Sequence, residues 1–398
     1  MLKQLKVKNF RSVGDATIDF APITLLYGPN GSGKSSILYA PFIFKNVVLN
    51  SNQSVDTFFS FLFANLGGFD QVVHRHDINK KIEIQITYLD EFNKSVIYGV
   101  SLGKKEGRFW LKKSEEIDLS LAATFPYPGN ARTQQIVKLN ESEMNVVWNG
   151  ITANLSAQPQ TTEMVELSQK MLSSLNKGAE ILRTLDIIPF KRGFSKFSYS
   201  TTPVSAYQTE EEIATILGSD SYLEGKVLAK FKKIFGKIFR VRAQLGTALF
   251  SLQVTDESGI TNELINDGFG LNQTLFILAK LLRNDAHTIL IEEPEIHLHP
   301  SAQNKLAQIF AEIVKEEEKT LIIETHSEII VSSFLALVSE KYITPQDIRC
   351  YFITKPERET VIEEQTINEK GQITGGLISF MEEEIKPIKK IWGVKEEK

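Results

Sequence analysis

The stretch Gly28-Pro29-Asn30-Gly31-Ser32-Gly33-Lys34-Ser35 has the glycine spacing and the closing Lys-Ser pair of a P-loop. It follows the apolar run 23–27 and precedes an apolar segment over about 34–44, so the pattern predicts a strand, a loop and a helix in the order that phosphate binding needs. Backbone N–H groups of such a loop surround phosphates, and the helix N-terminus adds positive charge. A chance glycine-rich turn is the alternative, and the flanking strand and helix make it the weaker one.

The residues of this loop are predicted to bind ATP. We expect Lys34 to reach the β and γ phosphates and Ser35 to bind Mg²⁺. The other residues expected to line the phosphates are Asn30, Gly31, Ser32, Gly33 and Ser36.

Strands and helices alternate on both sides of the P-loop. Residues 2–20 alternate apolar and polar side chains, which predicts two outer strands before the buried one. Strands that alternate with helices predict a parallel, doubly wound sheet. We therefore expect an α/β fold with a mainly parallel sheet and additional antiparallel N-terminal strands. After residue 265 the predicted elements are a glycine-rich turn, a helix over about 271–283, a strand at 288–291, a helix at about 301–315 and a strand at 320–323.

The middle of the chain differs from both ends. Between about 80 and 155, short alternating runs separated by polar turns predict antiparallel strands. The apolar spacing becomes helical over 161–185, and a second helical stretch is predicted over about 210–240. The two ends of the chain are expected to form one α/β domain, which we call the head. The chain thus divides into an N-terminal lobe of the head (1–80), a mixed α+β insertion that partly extends the head (81–245) and a C-terminal lobe of the head (246–398).

A second candidate site lies at Ile289-Leu290-Ile291-Glu292-Glu293, an apolar strand that ends in two carboxylates. Adjacent strand residues point to opposite faces, so the two acids can have different roles. We assign Glu292 to the Mg²⁺ shell and Glu293 to polarising the attacking water. A solvated acidic turn is the alternative, and the position directly after a buried strand disfavours it.

Two more segments are candidates for contact with phosphate. Ile322-Ile323-Glu324-Thr325-His326-Ser327 is a buried strand that ends in a histidine, one strand beyond the paired acids. A lone histidine is more often structural, but this position favours a catalytic role for His326. The turn Asp267-Gly268-Phe269-Gly270 lies one helix before the acids, and its small residues at a helix start can offer backbone donors to a phosphate. An ordinary helix start is the alternative for this turn.

As a set, these segments resemble the AAA-type ABC ATPases related to RecF, SMC proteins and OLD nucleases. The resemblance covers about the first 75 and the last 140 residues. Its evidence is Val7-Lys8-Asn9-Phe10-Arg11-Ser12, the P-loop, the Asp267-Gly268-Phe269-Gly270 signature, the Walker B stretch from Glu292 to Pro300, and Thr325-His326-Ser327.

The resemblance implies an ABC-type head that forms a head-to-tail homodimer. Two ATP molecules would lie between the P-loop of one copy and the signature of the other, contacted by Asp267, Gly268 and Gly270. His326 corresponds to the switch histidine that senses the γ-phosphate, and Arg11 to an arginine that approaches the nucleotide phosphates. A D-loop is expected near residues 297–300.

The sequence also departs from these families. The signature is not the Leu-Ser-Gly-Gly-Gln of transporters, and the insertion lacks the long heptad arms of SMC proteins. About 70 residues follow His326, too few for the acidic nuclease domain of OLD proteins. Gln71 stands at a plausible place for the Mg²⁺-binding glutamine of a Q-loop, and an ordinary surface glutamine is the equal alternative.

Composition limits the compartment and the partners. With a net charge of −4 and a pI near 6.0, any nucleic-acid contact needs a local basic patch. The single cysteine, Cys350, excludes an internal disulfide and is expected to be a buried thiol. The N-terminus lacks the apolar core of a signal peptide, and the longest apolar run is short of the roughly 20 residues that span a bilayer. We expect a cytoplasmic protein with no membrane contact.

One predicted helical segment carries many basic residues. A solvated amphipathic face is the default interpretation, and contact with nucleic acid or a partner is the alternative. The basic residues are Lys226, Lys230, Lys232, Lys233, Lys237, Arg240 and Arg242.

Two functions are compatible with these observations. The first is an ATPase whose hydrolysis gates a separately encoded effector, as in Septu anti-phage systems, whose ATPase component PtuA this head resembles in type. The second is a RecF-like DNA repair or tethering ATPase that ATP closes on a duplex. A stand-alone nuclease is disfavoured because the sequence shows no second acidic cluster.

Overall fold

A computed structural model describes residues 2–113, 119–126, 133–139, 142–155, 162–205 and 209–377. The P-loop follows the third strand and opens the first long helix, as the sequence predicts. The elements of the first part are β1 (Leu2–Phe10), β2 (Val13–Asp19), β3 (Ile23–Tyr27), α1 (Lys34–Leu49), α2 (Phe69–Val72), β4 (Ile82–Leu89), β5 (Ser95–Leu102), β6 (Gly107–Lys113), β7 (Leu119–Phe125), β8 (Thr133–Leu139), β9 (Ser142–Trp148) and β10 (Ala153–Leu155).

Helices dominate the second part of the chain. Its elements are α3 (Thr162–Arg183), β11 (Leu185–Ile188), β12 (Tyr199–Ser200), α4 (Glu210–Ser219), α5 (Ser221–Phe235), β13 (Ile238–Ala243), β14 (Leu249–Thr255), β15 (Thr261–Glu263), α6 (Phe269–Leu281), β16 (Thr288–Glu292), α7 (Pro300–Glu316), β17 (Thr320–Thr325), α8 (Glu328–Ser339), β18 (Ile348–Thr354) and β19 (Val361–Gln365).

The central sheet has the strand order β11-β16-β17-β3-β18-β19 and is parallel except for the pair β18 and β19. The P-loop strand β3 lies between β17 and β18. Because the carboxyl ends of parallel strands meet at one edge, the segments after β3, β16 and β17 converge there. A second sheet, β2-β1-β4-β5-β6-β7, is antiparallel throughout. The predicted fold class is confirmed.

Apolar residues cover both faces of the central sheet, which explains its continuous apolar runs. Leu26 and Leu290 belong to the core that contains α1, α3 and the antiparallel sheet. Leu25, Ile289 and Ile291 belong to the core that contains α4 to α8. The alternation along each strand therefore places the sheet between two layers.

The prediction of one helical stretch over about 210–240 is wrong in part. Asp220 separates α4 from α5 and caps α5, because its carboxylate accepts from the backbone N–H groups of Tyr222 and Leu223. Gly236 ends α5 in the left-handed conformation, with φ of 75°. The residues that follow form β13, which pairs antiparallel with β14.

The strands of the predicted insertion are partly built into the head, while β8–β10 form a sheet of their own and β12 and β13 pair with β14. β4 pairs with β1 and extends the N-terminal sheet through β7, and β11 forms one edge of the central sheet. The division at residues 80 and 245 stays a prediction. Cys350 is fully buried in β18, as expected. Within the described ranges, no helix is long and apolar enough to cross a membrane.

Candidate functional site

The P-loop conformation depends on glycine. Gly28, Gly31 and Gly33 have φ values of 143°, 72° and 106°, a region that L side chains rarely adopt. A Cβ atom on Gly28 would also lie 2.1 Å from the carbonyl oxygen of Ile353 on β18. The loop therefore packs directly against the neighbouring strand while its backbone remains free to surround a ligand.

Lys34 begins α1 and points back into the loop. Its Nζ atom donates to the carbonyl oxygens of Gly28 and Pro29 at 2.9 and 2.8 Å. The same atom lies 3.5 Å from Nδ1 of His326, which follows β17. Burial lowers the pKa of the Lys34 ammonium to about 8, and the nearby carboxylates of Glu324 and Glu293 oppose this shift.

A cavity of about 470 Å³ opens at the P-loop. It brings together ten of the predicted site residues from four separate segments of the chain. Three more residues at the cavity were not predicted, namely Ser12, Glu324 and Lys355. The predicted ones are Arg11, Asn30, Gly31, Ser32, Gly33, Lys34, Ser35, Ser36, Glu293 and His326.

Three side chains at this cavity have the chemistry of metal ligands. One ligand atom from each of Glu293, Glu324 and His326 lies within 4.8 Å of the other two. The Glu293 carboxylate lies 3.3 Å from Nε2 of His326, and this hydrogen bond holds the pKa of Glu293 below its usual value. Glu293 is thus ionised beside the Lys34 ammonium, as a group that orients or deprotonates a water must be.

Glu324 is the member of this group that sequence reasoning missed. Its carboxylate accepts a hydrogen bond of 2.7 Å from Oγ of Ser35, the predicted Mg²⁺ ligand. The side chain is almost fully buried, and burial raises its pKa to about 7. A signal was present, because Glu324 ends the apolar run of β17 just as Glu292 ends that of β16.

Glu292 is the last residue of the Walker B strand β16, and its carboxylate contacts other parts of the chain than the P-loop. One carboxylate oxygen accepts from the Tyr39 hydroxyl at 2.5 Å, and the other accepts from the backbone N–H of Phe190 at 2.9 Å. Glu292 does not line the P-loop cavity as the structure describes it. Its role in the Mg²⁺ shell stays a prediction, and both of its oxygens already have protein partners.

A family model of the AAA ATPase domain matches residues 1–331 of this chain. The chain belongs to this family. The predicted placement among the AAA/ABC-type ATPases of the RecF, SMC and OLD group is confirmed, as is the assignment to enzymes that hydrolyse ATP.

A relative of this AAA ATPase agrees with that placement. The OLD nuclease of Thermus scotoductus is 22% identical over 361 residues, which is 85% of this chain. The chain spans 61% of the length of that relative.

SMC heads have a similar fold. The SmcHead bound to the C-winged helix domain of ScpA has a TM-score of 0.50 at 13% identity, over 92% of this chain and 98% of that one. The Smc head bound to the C-terminal domain of ScpA derived from Pyrococcus furiosus has a TM-score of 0.50 at 12% identity, over 98% of this chain and 99% of that one.

The second feature that sequence reasoning missed in this AAA ATPase is Arg192, in the segment after β11. Its guanidinium donates to the carbonyl oxygens of Glu292 at 2.6 Å, Glu293 at 2.7 Å and Pro189 at 2.9 Å. Burial lowers the pKa of Arg192 to about 10, so it remains charged at neutral pH. Glu293 itself has a positive φ of 39°, and Arg192 therefore holds a strained turn in the geometry that aims its carboxylate at the cavity.

Replacing Arg192 with alanine is expected to lower the free energy of unfolding by on the order of 3 kcal/mol, because hydrogen bonds to charged groups each contribute about 1.5–3 kcal/mol. ATP hydrolysis should fall with it, since the Walker B turn loses its support. Lys191→Ala is the matched control, as Lys191 is an exposed neighbour. Denaturant titration that gives the two variants equal stability would contradict this role.

The predicted signature residues lie apart from the P-loop cavity of the same chain. Asp267 accepts from Nζ of Lys237 at 2.7 Å. Gly268 precedes α6 with φ of 104°, and its Cβ position is open apart from one Leu271 carbon at 4.0 Å. Gly270 packs against the predicted D-loop, because a Cβ atom there would lie 2.4 Å from the carbonyl oxygen of His297.

Arg11 and Gln71, two further predicted site residues, have different placements. Arg11 lies at the turn after β1 with φ of 52°, and it lines the P-loop cavity. Gln71 lies on the short helix α2, exposed, and does not line the cavity as described. The geometry therefore favours the interpretation of Gln71 as a surface glutamine.

The P-loop is also supported by a residue far along the chain. Oγ1 of Thr360, which precedes β19, donates to the carbonyl oxygen of Ser32 at 2.9 Å and lies 2.8 Å from Oγ of Ser12. The segment before β19 therefore contributes to the shape of the P-loop cavity.

The basic segment is largely paired within the chain. Lys230 donates to Glu312 and Glu316 on α7, at 2.9 and 2.6 Å. Lys226 pairs with Glu317 at the end of the same helix, and Lys237 pairs with the signature Asp267. Lys226 and Lys230 thus attach α5 to α7 and the residue after it, and Lys237 attaches the segment after α5 to the signature turn. This supports the structural interpretation of the segment.

A larger cavity, of about 620 Å³, lies on the other side of the Walker B turn. Its walls include Phe61, Phe63, Arg192 and the exposed Phe269 of the signature. None of the described residues that line it belongs to the P-loop. The smaller cavity is the candidate nucleotide site, because it holds the converging charged groups.

Proposed function

We propose that the protein binds Mg²⁺ and ATP at the P-loop cavity and that two copies close head to tail around two ATP molecules. Closure and hydrolysis would control a separately encoded effector, a nuclease in bacterial anti-phage defence. The protein would act in the cytoplasm, where ATP is abundant.

The placement of the signature turn carries this proposal. Gly268 begins α6, a helix of 13 residues, and the described part of the chain supplies no side-chain hydrogen bond that caps this helix. The start of a helix favours an anion through its free N–H groups and its dipole. Since this turn lies outside the P-loop cavity of its own chain, a phosphate held by a second copy is the ligand that fits it.

The chemistry of the cavity supports ATP hydrolysis. Lys34 would bind the β and γ phosphates, and Glu293 would orient and deprotonate the attacking water. His326 contacts both Lys34 and Glu293, so it would report the presence of the γ-phosphate to the Walker B turn. When bound, Mg²⁺ would neutralise phosphate charge beside Ser35.

One observation supports a separate effector. The group of possible metal ligands found among the described residues, Glu293, Glu324 and His326, serves ATP hydrolysis in this proposal. The nuclease step is therefore assigned to another polypeptide.

The alternative is a RecF-like ATPase that closes on DNA. The basic segment 226–242 would supply the contact, but the ion pairs of Lys226, Lys230 and Lys237 within the chain favour the effector proposal. ATPase activity that is stimulated by DNA alone, without a protein partner, would reverse this preference.

The dimer is tested with a distance between two labels. Cys350 is buried, so a cysteine placed at the exposed Gln308 on α7 accepts a single spin label per chain. In a Glu293→Gln background, ATP and Mg²⁺ should give one short distance between the copies, because ATP stabilises the state that binds it. Gly268→Trp should abolish that distance while ATP still binds to each head.

Gly259→Trp is the matched control for this experiment. Gly259 also has a positive φ, 86°, and open space around its Cβ position, but it lies in the turn between β14 and β15. Gly259→Trp should leave the ATP-dependent closure of the two heads intact. If the label distance in the Glu293→Gln protein is the same with and without ATP, the ATP-bridged dimer is refuted. Asp267–Gly270 would then be an ordinary helix start.

A further inference from the structure

We propose that Glu324, on the strand beside the P-loop strand, supplies the carboxylate that holds Mg²⁺ against Ser35, and that Glu292 does not. This inference rests on the proposed ATP site and departs from the role given to Glu292 by position in the sequence. It assigns the metal side of the site to a residue outside the Walker B segment.

The strand order is the first reason. β17 pairs directly with β3, whereas β16 is separated from β3 by β17. Glu292 and Glu324 are register partners on these two strands. Because neighbouring strands lie about 4.8 Å apart, Glu324 is one strand closer to the P-loop than Glu292.

Hydrogen bonding is the second reason. Both carboxylate oxygens of Glu292 accept from protein groups, Tyr39 and Phe190. Glu324 uses one oxygen for Ser35, and the other is buried with no hydrogen-bond partner in the part of the chain that the structure describes. An unpartnered buried carboxylate oxygen is costly unless a cation or a donor reaches it.

The surroundings of Glu324 fit a hard divalent cation. Ser35 adds a hydroxyl oxygen, and one carboxylate oxygen of Glu293 lies within 4.8 Å of one carboxylate oxygen of Glu324. Mg²⁺ prefers oxygen ligands and is held by one or two carboxylates together with substrate phosphates and water. Glu324 would meet the ion directly or through one water, while Glu293 remains available for the attacking water.

The test compares Glu324→Gln with Glu292→Gln by the gain in ATP affinity that Mg²⁺ produces. ATP binding is titrated calorimetrically in EDTA and in excess Mg²⁺, and Mn²⁺ binding to the ATP complex is followed by electron paramagnetic resonance. In Glu324→Gln the gain should fall by about 10–100-fold, the usual cost of losing a supporting group at a metal site. In Glu292→Gln it should be unchanged.

Affinity in EDTA separates a metal role from general damage. Removing the negative charge of Glu324 should leave metal-free ATP binding equal or tighter, whereas a misfolded P-loop would weaken it. If Glu324→Gln does weaken it, Ser35→Ala gives a second test, because it should lose the same Mg²⁺ gain as Glu324→Gln in the metal titration. A gain that survives in Glu324→Gln, or one that Glu292→Gln loses equally, overturns the proposal.

The outcomes also separate this inference from the proposed function. A Glu324→Gln protein that keeps its Mg²⁺ gain and still closes with ATP refutes the metal assignment alone. A wild-type protein that binds no ATP at all refutes the ATP site, and with it both proposals.

Discussion

Lys34→Ala is expected to lower ATP affinity on the order of 100-fold or more, which removes binding at ordinary concentrations. The ammonium is the charged donor at the centre of the P-loop cavity, where it now donates to the carbonyl oxygens of Gly28 and Pro29. Hydrogen bonds to charged groups contribute about 1.5–3 kcal/mol each, and every 1.4 kcal/mol changes affinity tenfold. Isothermal titration calorimetry measures the loss.

Lys355→Ala is the matched control for this variant. Lys355 lines the same cavity from the end of β18 but does not belong to the P-loop. Its removal should weaken ATP binding far less than the loss of Lys34, because it contributes charge without the donor geometry of the loop. Equal affinities for Lys34→Ala and the wild type, with both proteins folded by circular dichroism, would remove the P-loop assignment.

Glu293→Gln is expected to slow ATP hydrolysis by about 10²–10⁴-fold, the usual contribution of a general base. The amide keeps the size of the side chain but cannot take a proton from water. ATP affinity should be preserved, since Lys34 and the backbone of the P-loop remain. A phosphate-release assay together with a binding titration measures the two quantities.

Comparing Glu292→Gln with Glu293→Gln tests which of the two carboxylates takes part in hydrolysis. Glu292 is bonded to Tyr39 and Phe190, so the amide should affect stability more than the chemical step. If Glu292→Gln instead traps ATP while Glu293→Gln stays active, the order of the two roles is reversed. The same Glu293→Gln protein is the background in which dimer closure is measured.

Three site segments were predictable because their chemistry is local. A P-loop needs glycines at positive φ followed by a helix, and Gly28, Gly31 and Gly33 have that conformation. Glu293 and His326 directly follow apolar strands, and the position just after a strand in a parallel sheet places a side chain at the ligand edge. These features follow from a few neighbouring residues, so a sequence pattern is enough to find them.

The end of α5 after Phe235 is a boundary that local sequence patterns did not predict. Gly236 was a readable end signal, yet the alternating residues of β13 also fit a continued amphipathic helix. Pairing with β14 decided between the two, and pairing depends on residues that lie about ten positions further along the chain. The basic side chains of this segment were likewise visible, while their acidic partners on α7 were not.

The sequence by itself determined the P-loop, the Walker B acids, the strand-end histidine and the α/β class, since each depends on the period and order of adjacent residues. Only the tertiary structure decided that Glu324 contacts Ser35, that Arg192 holds the Walker B turn and that Glu292 turns toward Tyr39. Those contacts depend on how the elements are arranged: β17 lies between β16 and β3, β11 lies on the other side of β16, and α1 packs against the sheet. Strand order results from packing both faces of the sheet, a property of the whole chain that no single segment contains.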